Sequence, residues 1–229
     1  LLAFFAGFLL LVHPFNNEVA NYISAFPEVW YVIFMLLAAL FYAKHRRGFL
    51  PITRDKNLLL AFLFYFLGLL TKETAFLFPA VALALDVFVF RLPFKNLFKA
   101  REITKYAVFG VLFVVYLAMR VLALGGIPDP KPFYQFTAFE RVYFFFDLLG
   151  KYWAKFFYPY PLKEFHAFSQ TVDLTSPAFL FGLVVAGGLC ALAYMFWKRG
   201  QGTLLFFLVW SLVFLVPALL FLDRLGENI

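Results

Sequence analysis

The chain has 229 residues, of which 64% are hydrophobic and 14% charged, and its mean hydropathy is +0.86. A soluble domain is nearer half apolar and a quarter charged, so this chain has more apolar residues than one domain can bury. The composition excludes an ordinary cytosolic enzyme, a disordered tail and a nucleic-acid-binding module. The single cysteine, Cys190, excludes an intrachain disulfide framework and a thiolate-rich metal site.

Leu1 already lies inside an apolar stretch, with no preceding Met, basic segment or signal-peptide cleavage site. We therefore expect an internal piece of a longer membrane protein. Seven apolar runs follow in chain order: Leu1–Val12, Val29–Ala43, Leu58–Leu70, Ala75–Phe90, Tyr106–Leu124, Ala178–Trp197 and Leu204–Leu222. The last three are long enough to cross ~30 Å of hydrocarbon as helices, and lipid leaves helices as the reasonable form for all seven. The sequence predicts an all-α, polytopic transmembrane bundle of about seven spans.

Basic residues decide how the third and fourth runs are arranged. Five precede Leu58 and five follow Phe90: Lys44, Arg46, Arg47, Arg54 and Lys56, then Arg91, Lys95, Lys99, Arg101 and Lys105. A single helix over Leu58–Phe90 would put the two clusters on opposite faces of the membrane, whereas two spans put both on the cytoplasmic face. The positive-inside rule favours two spans with a turn at Thr71–Thr74.

The other charges agree with this topology, although the net charge of the whole chain is +7. Lys198 and Arg199 fall in a third loop on the basic side, and ten of the 13 acidic residues fall on the opposite side. We expect the loops at His13 and Lys72 and the segment Gly125–Ser176 to be extracytoplasmic. Residues 1–229 would then form a partial transmembrane domain, with a large outer loop at 125–176, in a bacterial, archaeal or endoplasmic-reticulum membrane.

The outer loop contains a predicted amphipathic helix. Thr137 and Glu140 fit a capping box, and the charges from Glu140 to Lys155 fall on one stripe of a helix that ends at Phe157. The rings of Phe139, Tyr143, Phe146 and Trp153 lie opposite that stripe. The pattern indicates a helix in the membrane interface whose charges face water. The alternative is a transmembrane helix with one polar side towards the bundle.

Ionisable residues concentrate at the outer ends of the predicted spans, where burying them is costly and therefore informative. They are His13, Glu18, Glu28, Lys72, Glu73 and Arg120. Together they would line a polar cavity open to the outer face. Structural alternatives remain for each of the strongest candidates: His13 as a helix end, Lys72 and Glu73 as a mutual pair, and Arg120 as an anchor to lipid phosphate. Asp86 is expected to be a structural partner of Arg91 or of a neighbouring helix.

Four segments match the motifs of one enzyme family. His13–Ala20 is similar to a His-Pro-x-His-Thr-Glu-Ala-Val segment, and Leu70–Ala75 to a Ser-Lys-Glu-x-Ala turn. Tyr116–Gly126 resembles a helix that enters a large outer loop, and Phe157–Leu162 the Phe-Pro-x-x-Leu exit of that loop. Together the segments resemble the membrane O-mannosyltransferases that carry tetratricopeptide repeats.

The resemblance implies a glycosyltransferase of the GT-C class. Such an enzyme takes mannose or a similar hexose from a polyprenyl- or dolichyl-phosphate donor and passes it to a protein or glycan on the extracytoplasmic side. The family's catalytic acid is expected upstream of Leu1, and its repeats downstream of Ile229. The sequence shows no paired metal-ligand spacing and no motif for another cofactor, and its composition excludes a nucleic-acid partner.

The physical chemistry of such a donor fits the same residues. Its tail stays in the bilayer and its phosphate lies at the interface, so cations are needed at that depth, and Lys72 and Arg120 are the candidates. Glu18 or Glu73 could act as the base on the acceptor hydroxyl. Orienting roles are favoured for both, because the resemblance places the family's base upstream of Leu1. His13 and Glu28 would complete the substrate-binding cavity. An O-antigen ligase or polymerase, and a polytopic transporter, remain as alternatives.

Overall fold

The computed structural model describes residues 26–48, 55–126, 136–159 and 171–220, a few isolated positions before residue 13, and side chains as far as residue 215. Every regular element within these residues is helical, which confirms the all-α prediction. The α-helices are α1 (Phe26–Arg47), α2 (Lys56–Thr71), α3 (Phe78–Ala84), α4 (Phe94–Leu97), α5 (Ala100–Leu124), α6 (Ala138–Phe157), α7 (Pro177–Lys198) and α8 (Gly202–Leu220). A 3₁₀ helix at Glu73–Leu77 precedes α3, and a π-helix at Leu85–Val89 follows it.

The chain divides into two compact units. The main bundle comprises residues 26–129 and 196–214, and the second unit comprises residues 1–25, 130–195 and 215–229. Among the described residues, α1, α5 and α7 are long and apolar enough to cross a membrane, and α2 and the first part of α8 are shorter apolar helices. Membrane association is therefore supported, while the count of seven spans stays a prediction. The run Leu1–Val12 lies mostly outside the described residues.

The two ends of α2 show which way it runs against α1. At its N-terminus, Asp55 accepts hydrogen bonds from two backbone amides and caps the helix. The same carboxylate lies 2.5 Å from Nδ1 of His45, near the C-terminal end of α1. At the other end of α2, Lys72 pairs with Glu28 in the first turn of α1. The two helices are therefore antiparallel.

The chain then turns back, as the basic clusters predicted. Lys72 is extended, with φ −151° and ψ 130°, so α2 cannot continue through it. Asp86 lies beside Tyr42, close to the C-terminal end of α1, and accepts a hydrogen bond from the Tyr42 hydroxyl at 2.8 Å. Residues 56–86 therefore cross the bundle twice. The face of the membrane on which each turn lies remains a prediction.

The returning segment differs from the regular helix expected over Ala75–Phe90. It consists of a 3₁₀ turn, the two-turn helix α3 and a π-helix. Pro79 lies in the first turn of α3, where its missing N–H costs nothing but where a continuous α-helix from Glu73 would lose a hydrogen bond. The π-turn is closed by the bond from the Phe90 N–H to the Leu85 carbonyl at 3.0 Å.

Aromatic rings form the centre of the main bundle. Phe109 of α5 is fully buried, and its ring lies 4.8 Å from that of Phe62, 5.1 Å from Tyr65 and 5.4 Å from Phe78. These rings come from α2, α3 and α5 and meet mainly edge to face, a favoured arrangement for aromatic pairs. The abundance of phenylalanine thus serves the interior as well as the apolar surface.

Helix α6 begins where the sequence predicted. Thr137 and Glu140 form the reciprocal capping box, and the helix ends at Phe157. The prediction that the whole charged stripe faces water is wrong at Asp147. Its side chain is buried, because the start of α7 packs on it and Ser176 donates a hydrogen bond to it at 3.1 Å. Lys151, one turn later, neutralises the carboxylate at 2.6 Å.

Two glycines allow α6 and α7 to touch backbone to backbone. A Cβ added to Gly150 would overlap the Ala178 carbonyl oxygen, and one added to Gly182 would overlap that of Phe146. Small residues allow this approach between membrane helices. By contrast, a Cβ on Gly187, farther along α7, would meet nothing within 4 Å.

Replacing Gly150 with alanine is therefore expected to lower the free energy of unfolding by ~1–3 kcal/mol, because the helices must separate to admit the methyl group. Gly187→Ala is the matched control and should leave stability unchanged or slightly raised, since alanine favours helix. Thermal unfolding of both detergent-purified variants measures the difference. Equal stability in the two variants would show that the close approach does not hold α6 to α7.

Candidate functional site

Four charged side chains meet at one end of the main bundle, which we term the Lys72 end. Lys72 pairs with Glu28 of α1, and Glu73 lies 3.3 Å from Nη1 of Arg120 on α5. Lys72 and Glu73 are consecutive residues, so the two pairs share the turn between α2 and the 3₁₀ helix. The structure thus brings together four of the six site residues predicted from the sequence.

The cations at this end are held in position but remain accessible. Tyr116, one turn earlier on α5, is buried, and its hydroxyl accepts a hydrogen bond from Arg120 at 2.9 Å. The Lys72 ammonium lies over the Tyr31 ring, 5.9 Å from its centre. About a third of the Lys72 side chain is exposed (34%), and the Arg120 side chain is 38% exposed. Lys72 pairs with Glu28 and not with Glu73, the partner that the structural alternative named. The alternative for Arg120, an anchor to lipid phosphate, stays a prediction.

The C-terminal end of helix α5 determines the position of Arg120. Gly125 adopts the left-handed conformation, with φ 72°, and its N–H bonds the Val121 carbonyl. The N–H of Gly126 reaches the same carbonyl at 3.1 Å. This glycine-dependent stop confirms the predicted helix end and leaves Arg120 a little over one turn inside it.

Glu73 is a weaker base than an ordinary glutamate. Its own backbone N–H hydrogen-bonds the carboxylate and holds the pKa of Glu73 below its usual range; burial opposes this shift, and the Arg120 charge adds to it. A lowered pKa weakens a carboxylate as a general base near neutral pH. An orienting role therefore fits the geometry better than proton abstraction, and the cation that Glu73 contacts is Arg120.

A second charged cluster occupies the opposite end of the main bundle and is largely buried. We term it the Asp86 cluster: Tyr42, Arg46, Asp86, Glu102, Lys105 and Tyr106. Both tyrosine hydroxyls donate to Asp86, at 2.8 and 2.9 Å, and Arg46 pairs with the same carboxylate. Glu102 lies 3.0 Å from Arg46 and 2.6 Å from Lys105.

The side chains of Asp86 and Lys105 have no exposed surface. Two cations and two anions balance, so the cluster joins α1, the π-helix and α5 without leaving an uncompensated charge. The expected partnership with a neighbouring helix is confirmed for Asp86. The expected partnership with Arg91 is wrong, because Arg91 donates instead to the Gly200 carbonyl at 2.7 Å.

Sequence reasoning missed most of the Asp86 cluster because its members were counted as loop charges. Two spacings carried a signal: Tyr42 and Arg46 are four residues apart, and Glu102 and Lys105 are three apart. Either spacing places both side chains on one helix face.

Two predicted site residues, His13 and Glu18, lie outside the described residues. Among the side chains that the structure does describe, no group of three His, Cys, Asp or Glu residues could hold a metal ion. Compared with protein-family models, curated proteins and solved structures, the chain matches none.

Proposed function

We propose that this protein is a membrane glycosyltransferase that takes a hexose, such as mannose, from a polyprenyl- or dolichyl-phosphate donor and transfers it on the extracytoplasmic face. The observation that carries the proposal is the Lys72 end, where Lys72 lies in the accessible turn after α2 and Arg120 reaches the same turn from α5. The resemblance of the segments around both residues to the tetratricopeptide-bearing O-mannosyltransferases supports the same assignment. The acceptor is a protein or a glycan.

The two charged clusters suit different tasks. The Asp86 cluster is buried and fully occupied by its own counterions, so it stabilises the bundle. The Lys72 end is exposed, and both its cations lie at the edge of the apolar helices. A phosphate at this depth would receive two charge-assisted hydrogen bonds in a region of low dielectric constant, which stabilise the charge that develops as the sugar leaves.

Donor binding must then exchange partners. Lys72 is held by Glu28 and Arg120 by Glu73, so a phosphate has to displace or share these carboxylates. Displacement would release Glu28 beside the reacting centre only when donor is present. Glu28 thereby competes with the donor for Lys72 in the resting protein.

Glu28→Gln is therefore expected to tighten polyprenyl-phosphate binding by about 1.4- to 5-fold, the equivalent of a partly exposed ion pair. The same substitution in a Lys72→Met background should change binding little, because the competing pair is already absent. Equilibrium binding of polyprenyl phosphate to the four proteins of this cycle measures the coupling. Weaker binding by Glu28→Gln alone would show that Glu28 contacts the ligand instead of competing with it.

The alternatives make different demands on the same residues. An O-antigen ligase or polymerase would share the donor site and differ in its acceptor. A transporter would use charges near the membrane midplane, whereas the charges described in the main bundle lie at its two ends.

The direct test is turnover of a radiolabelled polyprenyl-phosphate mannose by the intact protein in lipid nanodiscs, with release of polyprenyl phosphate as the readout. We expect release that depends on added acceptor protein or glycan. Binding and turnover both at the level of empty nanodiscs would refute the proposal. Release with only one of the two acceptors would identify the acceptor class.

A further inference from the structure

An apolar groove adjoins the Lys72 end. It is open to the surface, has a volume of about 500 Å³ and lies between the first turns of α1 and the last turn of α2; its lining residues are Phe26, Pro27, Trp30, Phe34, Leu70 and Thr71. This volume lies within the range of ligand pockets. Thr71 immediately precedes Lys72, and Glu28, the partner of Lys72, follows Pro27. One end of the groove is therefore next to a cation.

A row of aromatic rings continues from the groove along the bundle. Trp30 lies between Phe26, at 6.1 Å, and Phe34, at 5.8 Å, because residues four apart share one helix face. The row passes to Phe64 of α2 at 6.3 Å and returns to Phe41 of α1 at 5.5 Å, both as stacked pairs. From residue 26 to residue 41 the helix rises ~22 Å, which is most of the ~30 Å hydrocarbon thickness.

We propose that this groove and ring row bind the isoprenoid chain of the donor lipid, with its phosphate at Lys72; this inference rests on the proposed function. The occupant must be apolar along the ring row and anionic at the end next to the ammonium. It must also be long, because the row extends well beyond the groove. An isoprenoid chain carries planar alkene groups at regular intervals, and planar groups pack on ring faces. A saturated acyl chain has no such groups.

The test compares two phosphates that share a head group and differ in tail. Trp30→Ala should weaken binding of long-chain polyprenyl phosphate by about tenfold, because the indole ring no longer covers the isoprenoid chain, and leave binding of methyl phosphate, which has no chain to place in the groove, unchanged. Both rings are exposed, Trp30 by 44% and Phe26 by 57%, so removing either ring leaves the core intact. Phe26→Ala is the second variant, and the same result is expected for it. Leu122→Ala, at an 83% exposed position on α5, is the matched control and should change neither affinity.

Equal weakening of both phosphates by Trp30→Ala, or of neither, would overturn the inference. So would competition by phosphatidic acid as strong as that by long-chain polyprenyl phosphate, since the groove would then hold ordinary lipid. The outcomes separate this inference from the proposed function. Chain-length-selective binding without sugar turnover would retain the groove and reject the enzyme. If Trp30→Ala turns over sugar with an unchanged Michaelis constant for the long-chain donor, the proposed enzyme is retained and the groove is rejected.

Discussion

Arg120→Met is expected to lower sugar turnover from a polyprenyl-phosphate donor by about 10- to 150-fold, because it removes one charge-assisted hydrogen bond worth ~1.5–3 kcal/mol. Arg120→Lys should remain impaired. The guanidinium already reaches both Tyr116 and Glu73 through Nη1, and a lysine ammonium cannot keep those partners while it presents a fork to phosphate. Initial rates of polyprenyl-phosphate release by the intact protein measure the effect.

Arg101→Met provides the control for this series. Arg101 lies on the same helix, α5, but in its first turn and is exposed. Its replacement should leave turnover within twofold of the wild-type rate, which corresponds to about 0.4 kcal/mol in activation free energy. Wild-type rates in Arg120→Met, with the protein correctly folded, would remove Arg120 from the donor site.

Asp86→Asn is expected to have the largest effect on stability, lowering the free energy of unfolding by about 3–5 kcal/mol. The carboxylate has no exposed surface, and its removal leaves Arg46 and Lys105 with one anion, Glu102, between them. Unfolding in denaturant, or the yield of monodisperse protein where the variant is too unstable to titrate, measures the decrease.

The double variant Asp86→Asn with Lys105→Met separates charge balance from simple damage. It removes one cation and one anion, so the buried cluster is neutral again and should recover part of the stability. Additive decreases in the double variant would show that the two residues do not act as one cluster.

The positions of the helices followed from hydropathy, but their ends did not. The apolar runs Val29–Ala43 and Tyr106–Leu124 predicted the centres of α1 and α5. Both helices extend past these runs, α1 to Arg47 and α5 back to Ala100. The added turns contain Arg46, Glu102 and Lys105, which pair with one another and with Asp86. Most of this pairing depends on tertiary structure, because it joins residues 19 to 56 positions apart in the sequence.

The sequence predicted which residues belong to the candidate site better than it predicted how they pair. Lys72, Glu73 and Arg120 stood out because charges at the ends of apolar runs are costly. Their partners could not be assigned, since only the antiparallel turn-back of the chain brings Glu28 to Lys72. The π-helix that carries Asp86 had no signature either, because an i→i+5 bond requires no particular residue.

The most direct test of the Lys72 end as a donor site is the affinity of the intact protein for polyprenyl phosphate in Lys72→Met and Lys95→Met. Lys95 is an exposed lysine of α4, which lies between Asp86 and Glu102 in the chain. We predict at least about tenfold weaker binding in Lys72→Met, because one charge-assisted hydrogen bond is removed, and unchanged binding in Lys95→Met. Equal affinities in the two variants would contradict the account.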